Sequence, residues 1–540
     1  MALVYLALGA LALGACWLYW SLFPRPLPGL PHFPESTKRI FGDGPNVKSQ
    51  GRVLREPSFA MFSLNRKLGV PLFQLLLTSL TTPAIVIDDP REVEDILLRR
   101  NKEFDRSTLT TELFSQILPH ATLSQVTTPA LKAQKRLWSD VMHPDFLRRV
   151  VAPNLQTAAM ELVELWNLKA ERAAGEPFDV SDDFQSTALD AIWVAILGSR
   201  IGVLRHEIDK LRFGKKPNPE TAATIELVRF AVDKGSRIVD AGVASLWPAI
   251  TFFIMSFTPS YRRFMRTGYV TVQKLMREAC DRYHKLSEKS GDDGGDDEGA
   301  ELDTCAMDFV LRREIMTAKK EGKPAPDPTN NPAMLQELWL LLLAGHDSTA
   351  STLMWFVKFM ALNPRAQANL RDALRVAFDS KLPTSGAILE ADIPLLDATI
   401  EETIRCAATA AITTRRALVD TTILGHRIPA GANVILNLRI REEPFEVDES
   451  LRSVTSQTAQ AKRTRGGFEG DSGRNLDLFE PRRWMYQDER GKDMFDAYSL
   501  PSLNFGGGFR GCFGRSSPGS PGLVHQTAGC RHRLSISVLY

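Results

Sequence analysis

Between Asn331-Pro332 and Asn363-Pro364 lies a stretch that reads as one long helix. Asn331 is a good N-cap, Pro332 suits the first helical position, and Asn363-Pro364 supplies the stop. About thirty helical residues span roughly 46 Å, far more than an average helix. His346, Asp347 and Lys358 interrupt its apolar run, which excludes a membrane span. Other long helix-like segments fill residues 130 to 410. Short strand-like runs, "AIVIDD" (Ala84 to Asp89) and "ANVILNL" (Ala432 to Leu438), flank them. The chain therefore reads as mainly α with a minor β portion.

The 540 residues are 44% apolar and can bury a large core, and the formal charge of +2 points to neither nucleic acid nor an acidic partner. Six scattered cysteines form no C-x-x-C and no Cys/His cluster, so neither a zinc site nor a disulfide framework is favoured. The polar tracts Ser287 to Glu301 and Val454 to Arg474 read as solvated loops within one domain.

Ala2 to Phe23 carries no charge, and as a helix it would extend roughly 33 Å, enough for a bilayer core of about 30 Å. Trp17, Tyr19 and Trp20 suit the interface, and Arg25, Lys38 and Arg39 beyond them suit the cytoplasmic side. Residues 1–23 are expected to be an uncleaved single-pass transmembrane helix. A signal peptide would have a basic start and a shorter apolar core, and "LGAC" (Leu13 to Cys16) also resembles a lipoprotein box. Residues 24–34, with five prolines, form a stiff extended hinge leading to a body at 35–514.

The densest chemistry lies in "FGGGFRGCFG", Phe505 to Gly514. Gly506, Gly508 and Gly511 satisfy G-x-G-x-x-G, but Ser516, Pro518 and Pro521 follow where a helix should begin, and no acid occurs downstream. The alternative makes Cys512 a metal ligand. Glycine-exposed backbone N–H groups and Arg510 would stabilise its thiolate, and glycine lets backbone approach a flat macrocycle.

The loop resembles F-x-x-G-x-R-x-C-x-G of the cytochrome P-450 family, the haem-thiolate monooxygenases, matched by Phe505, Gly508, Arg510, Cys512 and Gly514. The resemblance implies haem b with Cys512 as the axial iron ligand, Arg510 on a propionate, and Phe505 and Gly506 in the cofactor-binding loop. "AGHDSTAS" (Ala344 to Ser351) is similar to the family's oxygen-activation stretch, with Asp347, Ser348 and Thr349 as the proton relay. There Gly345, an acid and two hydroxyls can loosen the helical ladder and admit water, or the hydroxyls simply bond back to their own helix. "EETIRC" and "FEPRRW" resemble the family's buried Glu–Arg–Arg cluster, giving structural roles to Glu402, Arg405 and Arg483. Glu103 and Arg106 share the i, i+3 spacing and receive no buried role. "LKAQKRLWSDVMHPDFL" and "TTRRALVDTTILGHRIPAG" supply further propionate candidates, Arg136, Trp138 and Arg415, with Arg416 nearly as suitable as Arg415.

The resemblance, strongest to filamentous-fungal microsomal members, implies the P-450 fold and an enzyme at the endoplasmic reticulum membrane with its catalytic domain cytoplasmic. It would oxidise an apolar small molecule with O₂ and electrons from an NADPH–cytochrome reductase, in specialised metabolism. Residues 515–540 depart from the pattern. After Arg515, two prolines and three glycines stand where the family has a long helix and a hairpin, so these elements read as missing or replaced. Two alternatives stay open: a non-catalytic remnant without haem, and an O₂-independent haem-thiolate isomerase or dehydratase.

Overall fold

A computed structural model describes residues 14–513 apart from 15–16, 18, 55, 80, 139–143, 215–218, 244, 246, 291–303, 325–326 and 463–474. The chain divides into two compact units, each assembled from discontinuous stretches: residues 1–110, 410–478 and 498–512, and residues 111–409, 479–497 and 513–540.

The first unit is organised by a five-stranded sheet. Its strands are β1 (Leu72–Leu75), β2 (Ala84–Ile87), β3 (Phe104–Arg106), β4 (Ile412–Ala417) and β7 (Asn433–Asn437), in the order β1-β2-β7-β4-β3. A hairpin, β5 (Thr421–Ile423) and β6 (His426–Ile428), lies between β4 and β7 in sequence. The two apolar runs expected as strands are β2 and β7, and they pair in parallel with Ala84 opposite Asn433. Every residue of β2 is buried, as a continuous run of Ala, Ile and Val requires. Phe62, Leu64, Phe73 and Val86 form a core against this sheet. The proline-rich arm is held by one side chain: Gln74 accepts from the Leu27 N–H at 2.7 Å and donates to the carbonyls of Leu27 and Leu30, both at 3.0 Å.

The second unit is helical. Its central helix is Pro332–Leu362, with Asn331 Oδ1 accepting from the N–H groups of Ala333 and Met334 as the cap. It packs along Ser181–Leu197, which is buried over nearly its whole length. At Gly345 the approach is tight, since a Cβ there would lie 2.8 Å from Ile192 Cγ1. Asp190 stays buried because its carboxylate accepts from the N–H groups of Gly202, Val203 and Leu204, which open the next helix. A small hairpin, β8 (Met485–Gln487) and β9 (Asp493–Phe495), belongs to this unit.

Two stretches expected as loops begin as helices. Pro259–Ser290 runs on through 287–290. Val454–Ala461 is helical because Ser453 caps it, accepting from the Ser456 N–H, and because Ser453 and Thr455 both donate to buried Asp95. Among the described residues no helix is long and apolar enough to cross a membrane. Most of the expected anchor, all of residues 1–13 included, lies outside the described residues, as does the 515–540 tail.

Candidate active site

Within the first unit, the cysteine loop is shaped by its glycines. Gly506 and Gly508 have φ of +65° and +61°, a region that residues with a Cβ avoid. Gly508 is also pressed onto helix Pro90–Leu98, where a Cβ would sit 2.5 Å from the Leu97 carbonyl oxygen. The Gly511 N–H closes a tight turn onto the Gly508 carbonyl at 3.0 Å, and the Cys512 N–H donates to the Phe505 carbonyl at 2.9 Å. The Cys512 side chain is left exposed. Gly514 lies outside the described residues.

Beside this loop the same unit gathers three guanidinium groups around one carboxylate. Arg510 Nε donates to Asp105 Oδ1 at 2.9 Å. Strand register sets Arg415 opposite Arg106 across β3 and β4. Arg415 is 3% exposed and donates to its own strand, to Thr413 Oγ1 and the Thr414 carbonyl. Arg106 is half-buried, and its Nε is shut off from water with no hydrogen-bond acceptor. Burial, reinforced by repulsion from Arg415 and Arg510, pushes the Arg106 guanidinium down to about 9. Burial and repulsion from Arg510 push Arg415 down to about 10. Of the two neighbours in "TTRRA", it is Arg415 that turns inward, while Arg416 is exposed. The reading of Arg106 needs correction. Glu103 pairs with Arg100, not with Arg106, because β3 begins at Phe104 and strand geometry replaces the helical i, i+3 relation.

In the second unit, Glu402, Arg405 and Arg483 come together. Glu402 is fully buried and accepts from five donors: Arg405 Nε and Nη2 at 2.8 Å each, Arg483 Nε at 3.0 Å, the Glu480 N–H at 2.8 Å and Trp484 Nε1 at 2.9 Å. Burial alone would raise this carboxyl. The hydrogen bonds and charge of Arg405, with Arg483 and the Glu480 N–H, outweigh burial and hold it below the ordinary glutamate range. Trp484 and the Glu480 backbone went unassigned in the sequence, although both lie within "FEPRRW".

On the central helix, Asp347 and Ser348 are exposed and Thr349 is half-buried. The helix is continuous through Gly345. Ser348 Oγ donates to the Ala344 carbonyl and Thr349 Oγ1 to the Gly345 carbonyl, both at 2.9 Å, so the back-bonded alternative describes both hydroxyls. Gln185 Nε2 donates to Asp347 Oδ1 at 3.2 Å. His346 points inward, bonded through Nδ1 to the Leu342 carbonyl at 2.9 Å, and burial holds its imidazole below the ordinary range. Trp138 is 1% exposed with its indole N–H buried and lacking an acceptor, whereas Arg136 is exposed.

These residues fit a haem. Three guanidiniums against one carboxylate leave two positive charges in excess, which matches the two propionates the group carries. The Arg106 Nε without an acceptor belongs to that cluster, and the glycine-shaped loop beside it presents one cysteine sulfur outward.

A mainly helical body with a small mixed sheet, a glycine-clamped cysteine and a cluster of guanidinium groups is the arrangement of a haem-thiolate enzyme. The comparisons agree. The family model described as Cytochrome P450 matches residues 31–440. The cytochrome P450 monooxygenase GME11363 of Pestalotiopsis microspora is 32% identical over 92% of this chain and 87% of its own length. The cytochrome P450 monooxygenase TRI13 of Fusarium sporotrichioides is 31% identical over 95% and 91%. The monooxygenase xilC of Penicillium rubens is 29% identical over 95% and 88%. The chain belongs to the cytochrome P450 family and is an enzyme of the monooxygenase class.

Proposed function

We propose that this protein is a membrane-anchored haem monooxygenase of fungal specialised metabolism. It hydroxylates or otherwise oxygenates an apolar small molecule, using O₂ and electrons passed from an NADPH–cytochrome reductase at the endoplasmic reticulum. The observation that carries the reading is the excess of two positive charges among Arg106, Arg415, Arg510 and Asp105 beside the Cys512 loop. The fungal relatives support the setting, one of them named for the Hps1-dma1 cluster of Dothistroma septosporum.

When bound, haem supplies oxygen activation. Cys512 would hold its iron through sulfur, with thiolate charge eased by the loop amides. Arg106, Arg415 and Arg510 would hold its propionates, and the propionate role of Trp138 rests on the family resemblance alone. Glu402, Arg405 and Arg483 keep the 479–484 segment in place. Ser348 Oγ and Thr349 Oγ1 donate to helix carbonyls, so each hydroxyl would have to release that bond before it could hand a proton on. Asp347, held by Gln185, is the carboxylate that opens this run. Anchoring rests on the uncharged run 2–23. It is supported by an exposed apolar surface on helix Pro248–Ser256, where Ile250, Phe253, Ile254 and neighbouring Phe257 are each more than half exposed.

A haem-free remnant is the competing reading. It is favoured by the exposure of Cys512 and by the proline-rich sequence that follows. The reduced carbon-monoxide difference spectrum of the full chain in membranes separates the two. A red-shifted Soret band that vanishes in Cys512→Ala is expected. A blank spectrum would establish the remnant, and a band that survives Cys512→Ala would refute the ligand assignment.

A further inference from the structure

The helical unit contains a cleft whose lining shares no residue with the thiolate loop or the guanidinium cluster. Helices Pro129–Leu137 and Ala306–Lys320 border this cleft of about 1070 Å³, at the upper end of small-molecule sites. Leu137, Phe309, Met316 and Met334 give it apolar walls. The exposed part of its lining is cationic, with Arg136, Lys320 and Lys323 joined by half-buried Arg312 and Arg313. Two acids line it. Glu321 is exposed and already bound to Lys323 at 2.8 Å. Glu314 is different: it is 8% exposed, and its Oε2 is buried with no hydrogen-bond partner. A buried carboxylate oxygen without a donor is costly, and a ligand donor removes that cost. Burial raises the Glu314 carboxyl to about 7, the behaviour of an acid with nothing to stabilise its charge.

We propose that this cleft binds an amphipathic organic acid with a hydroxyl at the end remote from its carboxylate. The carboxylate meets the cationic rim, the apolar frame covers Leu137 and Phe309, and the hydroxyl donates to Glu314 Oε2. An unsubstituted fatty acid would leave Glu314 unpaired, and sites with buried polar groups reject ligands that fail to pair them. An acidic polypeptide is disfavoured because the deepest polar group is itself an acid.

The site is independent of the haem reading. The test is calorimetric titration of the purified full-length chain with 12-hydroxydodecanoate and with dodecanoate. An imidazole-type ligand is kept in excess to occupy any haem iron and the catalytic pocket. The hydroxy acid is expected to saturate one site and to bind at least roughly tenfold more tightly than dodecanoate, the size of a hydrogen bond to a charged group. Glu314→Leu should erase that preference, whereas Glu314→Gln, which keeps a carbonyl acceptor, should retain it. The double variant Arg312→Gln/Lys320→Gln should weaken both acids. Equal affinity for the two acids, a preference unchanged in Glu314→Leu, or binding abolished by the imidazole ligand would overturn the assignment. So would displacement of both acids alike by an acidic peptide, which would make the cleft a protein-docking face.

Discussion

Two buried charge clusters in this protein are built on opposite terms. Around Glu402, one carboxylate meets five donors, two of them from backbone and indole rather than from cations. Around Asp105, one carboxylate faces Arg106, Arg415 and Arg510. A saturated cluster asks for nothing more, and its work is to hold segments together. The unbalanced cluster carries unrelieved repulsion, which the fold tolerates at a place where an anion belongs.

The contrast can be broken from either side. The largest effect is expected from Glu402→Ala, which strands two guanidiniums in the interior. Loss of one partner from a buried ion cluster costs about 3–5 kcal/mol, so thermal unfolding should reveal a severe defect with or without haem. An unchanged melting temperature would show that the cluster is not structural. Arg415→Met should behave the other way. Without haem it relieves repulsion and leaves stability unchanged or raised, while haem binding weakens by roughly tenfold to a hundredfold, the worth of about 1.5–3 kcal/mol for a charged hydrogen bond. Equal destabilisation of both forms would make Arg415 merely structural. Gly508→Ala forces a positive φ on a residue with a Cβ and a clash with Leu97. A penalty of about 1–3 kcal/mol is expected, read as lower haem retention with the helical circular dichroism signal intact. The smallest effect is in acid. Because the folded-state Glu402 carboxyl is held low, its contribution is complete above the ordinary value of about 4.3 and is lost as pH falls through the lower folded value. Melting temperatures below pH 4 should therefore fall more steeply in the parent than in Glu402→Gln.

Much of this was legible in the sequence, for identifiable reasons. The central helix declared both its ends through Asn-Pro pairs, and the structure keeps those bounds. β2 was visible as an unbroken apolar run and β7 as Val434 to Leu436 between two asparagines. Glu402 and Arg405 lie one turn apart on a helix, so local spacing revealed them. Arg106 was missed because its importance comes from register with a strand more than three hundred residues away. No local pattern encodes such a pairing. Helix Val454–Ala461 was missed for a related reason: its polar sequence is stabilised by Asp95, a residue far off in the chain. Trp484 was written in the motif, yet only geometry shows its indole on Glu402.

The parallel register of Ala84 with Asn433 also sets a schedule for synthesis. A ribosome adding roughly 5–20 residues per second needs about 17–70 s to deliver the second strand after the first. Through that interval the fully apolar β2 has no β7 to shelter it. The last strand of the sheet ends at Asn437, whereas the first unit takes its final stretch from residues 498–512, so the thiolate loop is added to a sheet whose strands have all been made.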